Sequence, residues 1–224
     1  MKAELLPITL QLPHLPGRSE GVHVSNVIRC IATETGVLKP EWAEELSLVD
    51  ARTITDPVSI LRIAMGLAWE QWYIPQLEGV IDHPGEMQLD GIYLTHDGES
   101  LDLVLSERGI YEHVMAVHEV KLTYKSLYTV APRLCPKPGD LIDALPQDLE
   151  SQWMWITQTQ AYCKALGTRY AYLHVLFTCG NYSFPIRPRL HCWKIEYSQD
   201  EIDVKWALIV DYRDMMLQSS EGAP

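Results

Sequence analysis

Glu119-Val120-Lys121 is the segment of this chain whose residue types carry the most chemistry. Successive side chains of a strand point to opposite faces, so Glu119 and Lys121 share a face and Val120 turns to the opposite face, expected to be the core side. A carboxylate and an ammonium inside the apolar run from Val114 to Leu122 make a poor core pattern. Asp90 stands upstream, in Gly85-Glu86-Met87-Gln88-Leu89-Asp90-Gly91-Ile92. If a neighbouring strand sets Asp90 beside Glu119, two carboxylates and one ammonium converge on one patch. Such a patch suits phosphodiester hydrolysis. Hard oxygen ligands hold Mg2+ or Mn2+, and the metal acidifies a bound water and polarises a phosphoryl oxygen. Lys121 would screen charge in the transition state. The flanking carboxylates would keep it protonated, which favours an electrostatic role over that of a general base.

Plainer readings stand beside these. Asp90 before Gly91 also fits a turn, and Glu119 with Lys121 fits an exposed edge-strand pair that discourages aggregation. His118 is expected to be a packed histidine and receives no role. Lys125 and Ser126, just beyond the motif, are candidate phosphate contacts, with Arg133, Lys137, Lys164, Arg187 and Arg189 elsewhere; scattered solubilising charge is the alternative.

The elements that must position these groups follow from spacing. Residues 1–22 are rich in proline and glycine and are expected to form an extended lead-in to one domain over 23–224. Ser25 caps a short helix that stops at Gly36. Asp56-Pro57 opens a helix to Tyr73, with apolar residues at helical spacing. Met87, Leu89, Ile92 and Leu94 mark a strand, Asp97-Gly98 a hairpin turn, and Leu101, Leu103 and Leu105 the returning strand. A third strand covers Tyr111–Leu122. Leu127 to Pro146, with four prolines, reads as a loop. A helix over 149–166 ends at Gly167, strands cover 169–179 and 190–197, and Ser198 with Glu201 forms a capping box for a terminal helix. The order predicts a single α/β domain whose central mixed sheet is flanked by helices.

In this order the elements resemble the PD-(D/E)XK nucleases, with Asp90 and then Glu119-Val120-Lys121 as the signature. Glu70 resembles the helical glutamate that adds a metal ligand in the lambda-exonuclease-like and RecB-like branches; a solvated helix position is its plainer reading. Gln158-Thr159-Gln160-Ala161-Tyr162 matches the Gln-x-x-x-Tyr motif of RecB-type nucleases. Four apart on a helix, Gln158 and Tyr162 share a face, free to touch a DNA strand or to buttress the site. The resemblance implies a restriction-endonuclease-like core, Asp90, Glu119 and Lys121 as catalytic residues, and Mg2+ or Mn2+ held by Glu70, Asp90, Glu119 and the Val120 carbonyl. It implies DNA as substrate and an exonuclease of phage or mobile-element recombination or repair. A homo-oligomer, as in ring-forming relatives, and a single-strand annealing or recombination partner protein belong to the same expectation. Two features depart from the family pattern: Leu89 stands where a proline is usual, and the late cysteines are too dispersed for an iron–sulfur cluster. Some relatives use a histidine metal ligand, but the spacing of His83 before Asp90 does not single it out.

Composition bounds these readings. Among 224 residues, 47% hydrophobic and 21% charged fit one well-filled globular domain and exclude a largely disordered chain. The five cysteines include no CxxC pair, which argues for reduced thiols rather than a zinc site. The N-terminus lacks the pattern of a secretory signal, so a cytoplasmic protein is expected, in the host cell if phage-encoded. A net charge of −12 counts against a DNA-coating role, because phosphate neutralisation drives non-specific binding. It leaves room for an enzyme that gathers a few cations around one cleft. The rivals are an endonuclease on the same fold, a nuclease-fold module that binds DNA or protein without turnover, and an unrelated acidic interaction module.

Overall fold

The computed structural model describes residues 19–41, 56–106, 108–126, 152–179 and 189–221. The expected loop from Leu127 to Pro146 and nearly all of the expected lead-in lie outside them. The described strands and α-helices are β1 (Val22–His23), α1 (Val24–Glu34), α2 (Pro57–Tyr73), β2 (Val80–Asp82), β3 (Glu86–Leu89), β4 (Ile92–Thr95), β5 (Gly98–Leu105), β6 (Tyr111–Ser126), α3 (Trp153–Leu166), β7 (Tyr170–Cys179), β8 (Arg189–Glu196) and α4 (Gln199–Glu221). The fold is mixed α/β, as expected, but the described strands form two sheets instead of one. The smaller has the order β1-β4-β3, and the larger β2-β5-β6-β7-β8. In each sheet one pair is parallel, β1 with β4 and β6 with β7, and the other pairs are antiparallel.

The smaller sheet contains a hairpin that turns on one dipeptide. The segment Met87–Leu94 is not one strand: it folds back at Asp90-Gly91, where Leu89 pairs with Ile92. Both turn residues have positive φ, 49° and 74°. That is the two-residue type I′ hairpin for which Asp-Gly is a preferred sequence.

Three helix signals are found where spacing put them, but Ser25 is no cap: it lies inside α1, whose N-cap position is His23 without a side-chain cap. Asp56 caps α2 by accepting from the Ser59 N–H at 2.7 Å, with Pro57 in the first turn. Gly167, at φ 64°, ends α3. The Ser198–Glu201 box opens α4, with Glu201 Oε2 accepting from the Ser198 N–H at 2.7 Å and Ser198 Oγ from the Glu201 N–H at 3.2 Å.

Strand alternation separates the two faces of the large sheet. Ala171, Leu173, Val175 and Phe177 of β7 enter the core, which Val27 and Ile31 of α1, Tyr162 and Cys163 of α3, and Ile202 and Ile209 of α4 complete. On the opposite face His118 and His174 are buried in a hydrogen-bonded chain. Tyr73 OH lies 3.0 Å from His174 Nδ1, His174 Nε2 3.0 Å from His118 Nδ1, and His118 Nε2 2.9 Å from Ser100 Oγ. Ser100 donates to Asp102 Oδ1 at 3.1 Å, so its oxygen accepts from His118 Nε2–H. His118 Nδ1 must then accept from His174, and His174 Nδ1 from Tyr73. One neutral tautomer of each ring satisfies every contact.

Burial pushes His118 down to about 4; burial, with His118 beside it, pushes His174 down to about 3. Between these values and an unfolded histidine near 6.5, the unfolded state binds more protons, so stability falls as pH falls through that window. Each histidine is expected to remove roughly 2 kcal/mol between pH 6.5 and 5. Urea midpoints at pH 7 and pH 5 check this: the difference should be smaller in His174→Gln than in the wild type.

Candidate active site

β5 begins at Gly98, paired with His118, so β6 runs on past its neighbour from Glu119 onward. A strand edge left this way has main-chain donors to satisfy. Asp97 satisfies one, its Oδ2 accepting from the Val120 N–H at 2.7 Å. This contact sets the Asp97 carboxylate against Glu119-Val120-Lys121. Gly98 is glycine for room and not for a turn: a Cβ there would stand 2.8 Å from Val80 Cγ1 and 3.2 Å from the Ile81 carbonyl oxygen.

Glu119 is 1% exposed and lies on the core-facing side of β6, in step with buried Val117, the reverse of the expectation that Val120 would face the core. Its Oε1 accepts a short hydrogen bond from Lys121 Nζ. Its Oε2 is buried without a hydrogen-bond partner. From the last turn of α2, Glu70 adds a third carboxylate, whose Oε1 lies 2.8 Å from His83 Nε2. Burial, then repulsion from Asp97, pushes the Glu119 carboxyl up to about 8. Burial also raises Asp97, against the pull of Lys121, and burial with Asp97 raises Glu70. Burial alone would lower Lys121, but the Glu119 and Asp97 carboxylates outweigh it and hold the ammonium above its ordinary value. Lys121 therefore stays charged, as its neighbours in the sequence suggested.

Asp90 is the site residue that the structure places elsewhere. It occupies the β3–β4 turn on the smaller sheet, its Oδ2 accepting from Trp206 Nε1 at 2.8 Å and its carbonyl from Arg213. The carboxylates gathered at Glu119 and Lys121 are Asp97 and Glu70. Asp97 and Asp90 both precede glycine, and the positions expected of the two dipeptides are exchanged: Asp90-Gly91 forms the tight hairpin turn and Asp97 stands beside Glu119-Val120-Lys121. The usable signal was the two-residue spacing: Leu89 and Ile92 flank Asp90-Gly91 as a tight hairpin requires.

Gln158 and Tyr162 do share a face of α3, Gln158 Nε2 donating to Tyr162 OH at 2.7 Å. Tyr162 is buried, its ring centroid 5.9 Å from that of His96, so it backs the His96-Asp97 segment from the core. Lys125 and Ser126 end β6, and their side chains lie outside the described residues. Lys164 is held by Asp203 at 2.7 Å. Asp97 was missed as a site residue, and His83, noted in the sequence but given no role, makes its contact to Glu70 only in the fold.

The cluster has the chemistry of a hard-cation site, with three carboxylates, one ammonium and an unpartnered buried oxygen on Glu119. Among the described residues no three His, Cys, Asp or Glu side chains already stand as a metal cage. Mg2+ does not require one, since it keeps several waters and takes one or two carboxylates.

Neither a family model nor a curated protein matches the chain. Similar solved structures include an alkaline exonuclease from Laribacter hongkongensis, at TM-score 0.44 and 13% identity over 90% of this chain and 91% of that one. A phage-related exonuclease from Haemophilus somnus 129PT matches at TM-score 0.46 and 13% identity, over 89% and 96%. The protein SSO0001 matches at 0.44 and 14%, over 92% and 79%. At these scores the similarities bear on no residue of the site. Among the described residues, no helix is long and apolar enough to cross a membrane.

A buried excess of carboxylate makes opposite stability predictions for its two signs of charge. Lys121→Met leaves Glu119 unanswered and should cost about 3 kcal/mol, the low end for breaking a buried pair because Glu119 can take up a proton. Glu119→Gln removes one repelling charge and should hold or raise the melting temperature. Thermal unfolding of both variants without divalent metal checks the pair.

Proposed function

We propose that the chain is a metal-dependent DNA nuclease of the PD-(D/E)XK type, with Asp97, Glu119 and Lys121 as its catalytic residues. The observation that carries this reading is the convergence of Asp97 and Glu70 on Glu119 and Lys121 at the strand edge where the Val120 N–H binds Asp97. Glu70, Asp97, Glu119 and the Val120 carbonyl would hold Mg2+ or Mn2+, which supplies an acidified water and a polarised phosphoryl oxygen when bound. Lys121, kept protonated, orients the attacking water and offsets charge that builds on the phosphate. Asp97 is held by the main chain of the strand that carries Glu119 and Lys121, so the groups keep one mutual geometry. Gln158 and Tyr162 brace this arrangement from the core side.

The helical Glu70 and the Gln158–Tyr162 pair favour the exonuclease form of the reading, acting on DNA ends in phage or mobile-element recombination or repair in the cytoplasm of the host cell. A homo-oligomer and a recombination or single-strand annealing partner belong to the same reading.

Linear and covalently closed DNA, each with Mn2+, with Mg2+ and with EDTA, test it. Loss of linear DNA alone, only with metal and abolished in Lys121→Ala, is expected. Cutting of closed circles would replace the exonuclease form with an endonuclease, and no cleavage by folded protein under any metal would overturn the reading.

A further inference from the structure

Two non-glycine residues among those described have positive φ, Asp90 and His83. The hairpin turn accounts for Asp90. His83, at φ 45°, lies between β2 and β3 and directly precedes Pro84. A residue before proline is pushed towards extended conformations, so this one is strained on two counts. Packing does not repay the strain, because the His83 side chain is 41% exposed. Strain of this kind persists where the surroundings hold it and is a marker of functional sites.

The contacts of His83 show what is held. Its ring lies between two carboxylates, with Nε2 2.8 Å from Glu70 Oε1 and Nδ1 against Asp82. Its main-chain N–H donates to the Asp97 carbonyl at 3.1 Å. One residue thus grips Glu70 through its side chain and the Asp97 segment through its backbone. α2 and the start of β5 are far apart in sequence, and His83 ties the carboxylates they carry to a common point.

We infer that His83 is a positioning residue that fixes the Glu70 carboxylate beside Asp97, so that the affinity of the site for a divalent cation depends on the His83 side chain. The inference rests on the metal-dependent reading above. Partners that orient a metal-binding carboxylate typically change metal affinity by about 10- to 100-fold.

Glycine at this position separates the inference from a purely structural role. It accepts φ 45° without strain, so His83→Gly should keep or raise the unfolding midpoint while removing the grip on Glu70. Asparagine tolerates the same backbone but is too short to span Asp82 and Glu70, and His83→Asn serves as the second variant. Mn2+ binding without DNA, followed by calorimetry and by the free-Mn2+ resonance signal, is the readout. Both variants are expected to fold and to bind Mn2+ about 10- to 100-fold more weakly than the wild type. Wild-type affinity in either folded variant would overturn the positioning role and leave the nuclease reading intact. A wild-type protein that binds no Mn2+ would overturn the metal-dependent reading, and this inference with it.

Discussion

The ammonium of half-buried Lys121 meets the fully buried carboxylate of Glu119, and Asp97 and Glu70 add negative charge that this one cation does not balance. Uncompensated charge in such a place is costly, and burial accordingly raises all three carboxyls. A fold that keeps such a cluster does so against its own stability, as active sites do. The imbalance is what a bound cation would relieve, and the unpartnered Glu119 Oε2 is where it is most local.

The remaining elements can be understood as the frame for that cluster. Strand alternation on β6 sends Glu119 and Lys121 to one face and His118 to the other, so reactive charge and the buried histidine chain occupy opposite sides of one strand. β5 stops one residue short of Glu119, which exposes the Val120 N–H to Asp97. α2 brings Glu70 to the same edge, and Tyr162 of α3 supports His96 from the core. Each support is a different element, so the site exists only when the sheet and helices are assembled.

Much of this was legible in the sequence because the responsible physics is local. Helix caps at Asp56 and Ser198, the glycine stop at Gly167, and the shared face of Glu119 and Lys121 each depend on a few neighbouring residues. Glu70 and the Gln158–Tyr162 pair were singled out by the resemblance, and only the shared helix face of Gln158 and Tyr162 follows from spacing. What failed was the choice between two Asp-Gly dipeptides, since each satisfies the turn rule. The difference lies in surroundings that no short window contains: Gly91 needs a left-handed φ, whereas Gly98 needs the space that Val80 and Ile81 leave it. Exchanging the two put the expected turn beside Glu119 and Lys121 and the expected carboxylate in the hairpin turn, and it merged a hairpin of the small sheet into a single strand. The contact of His83 with Glu70 was not legible, because it joins residues on separate elements through a strained backbone.

The assignment of Asp97 rather than Asp90 to the chemistry is the centre of the account, and the isosteric pair Asp97→Asn and Asp90→Asn tests it most directly. Asparagine keeps the turn conformation and an acceptor for Trp206 at position 90, so both proteins should fold. With Mn2+ and linear DNA, Asp97→Asn should lose cleavage by about two orders of magnitude or more while Asp90→Asn stays near the wild type. Full activity in Asp97→Asn together with a folded, inactive Asp90→Asn would contradict the account.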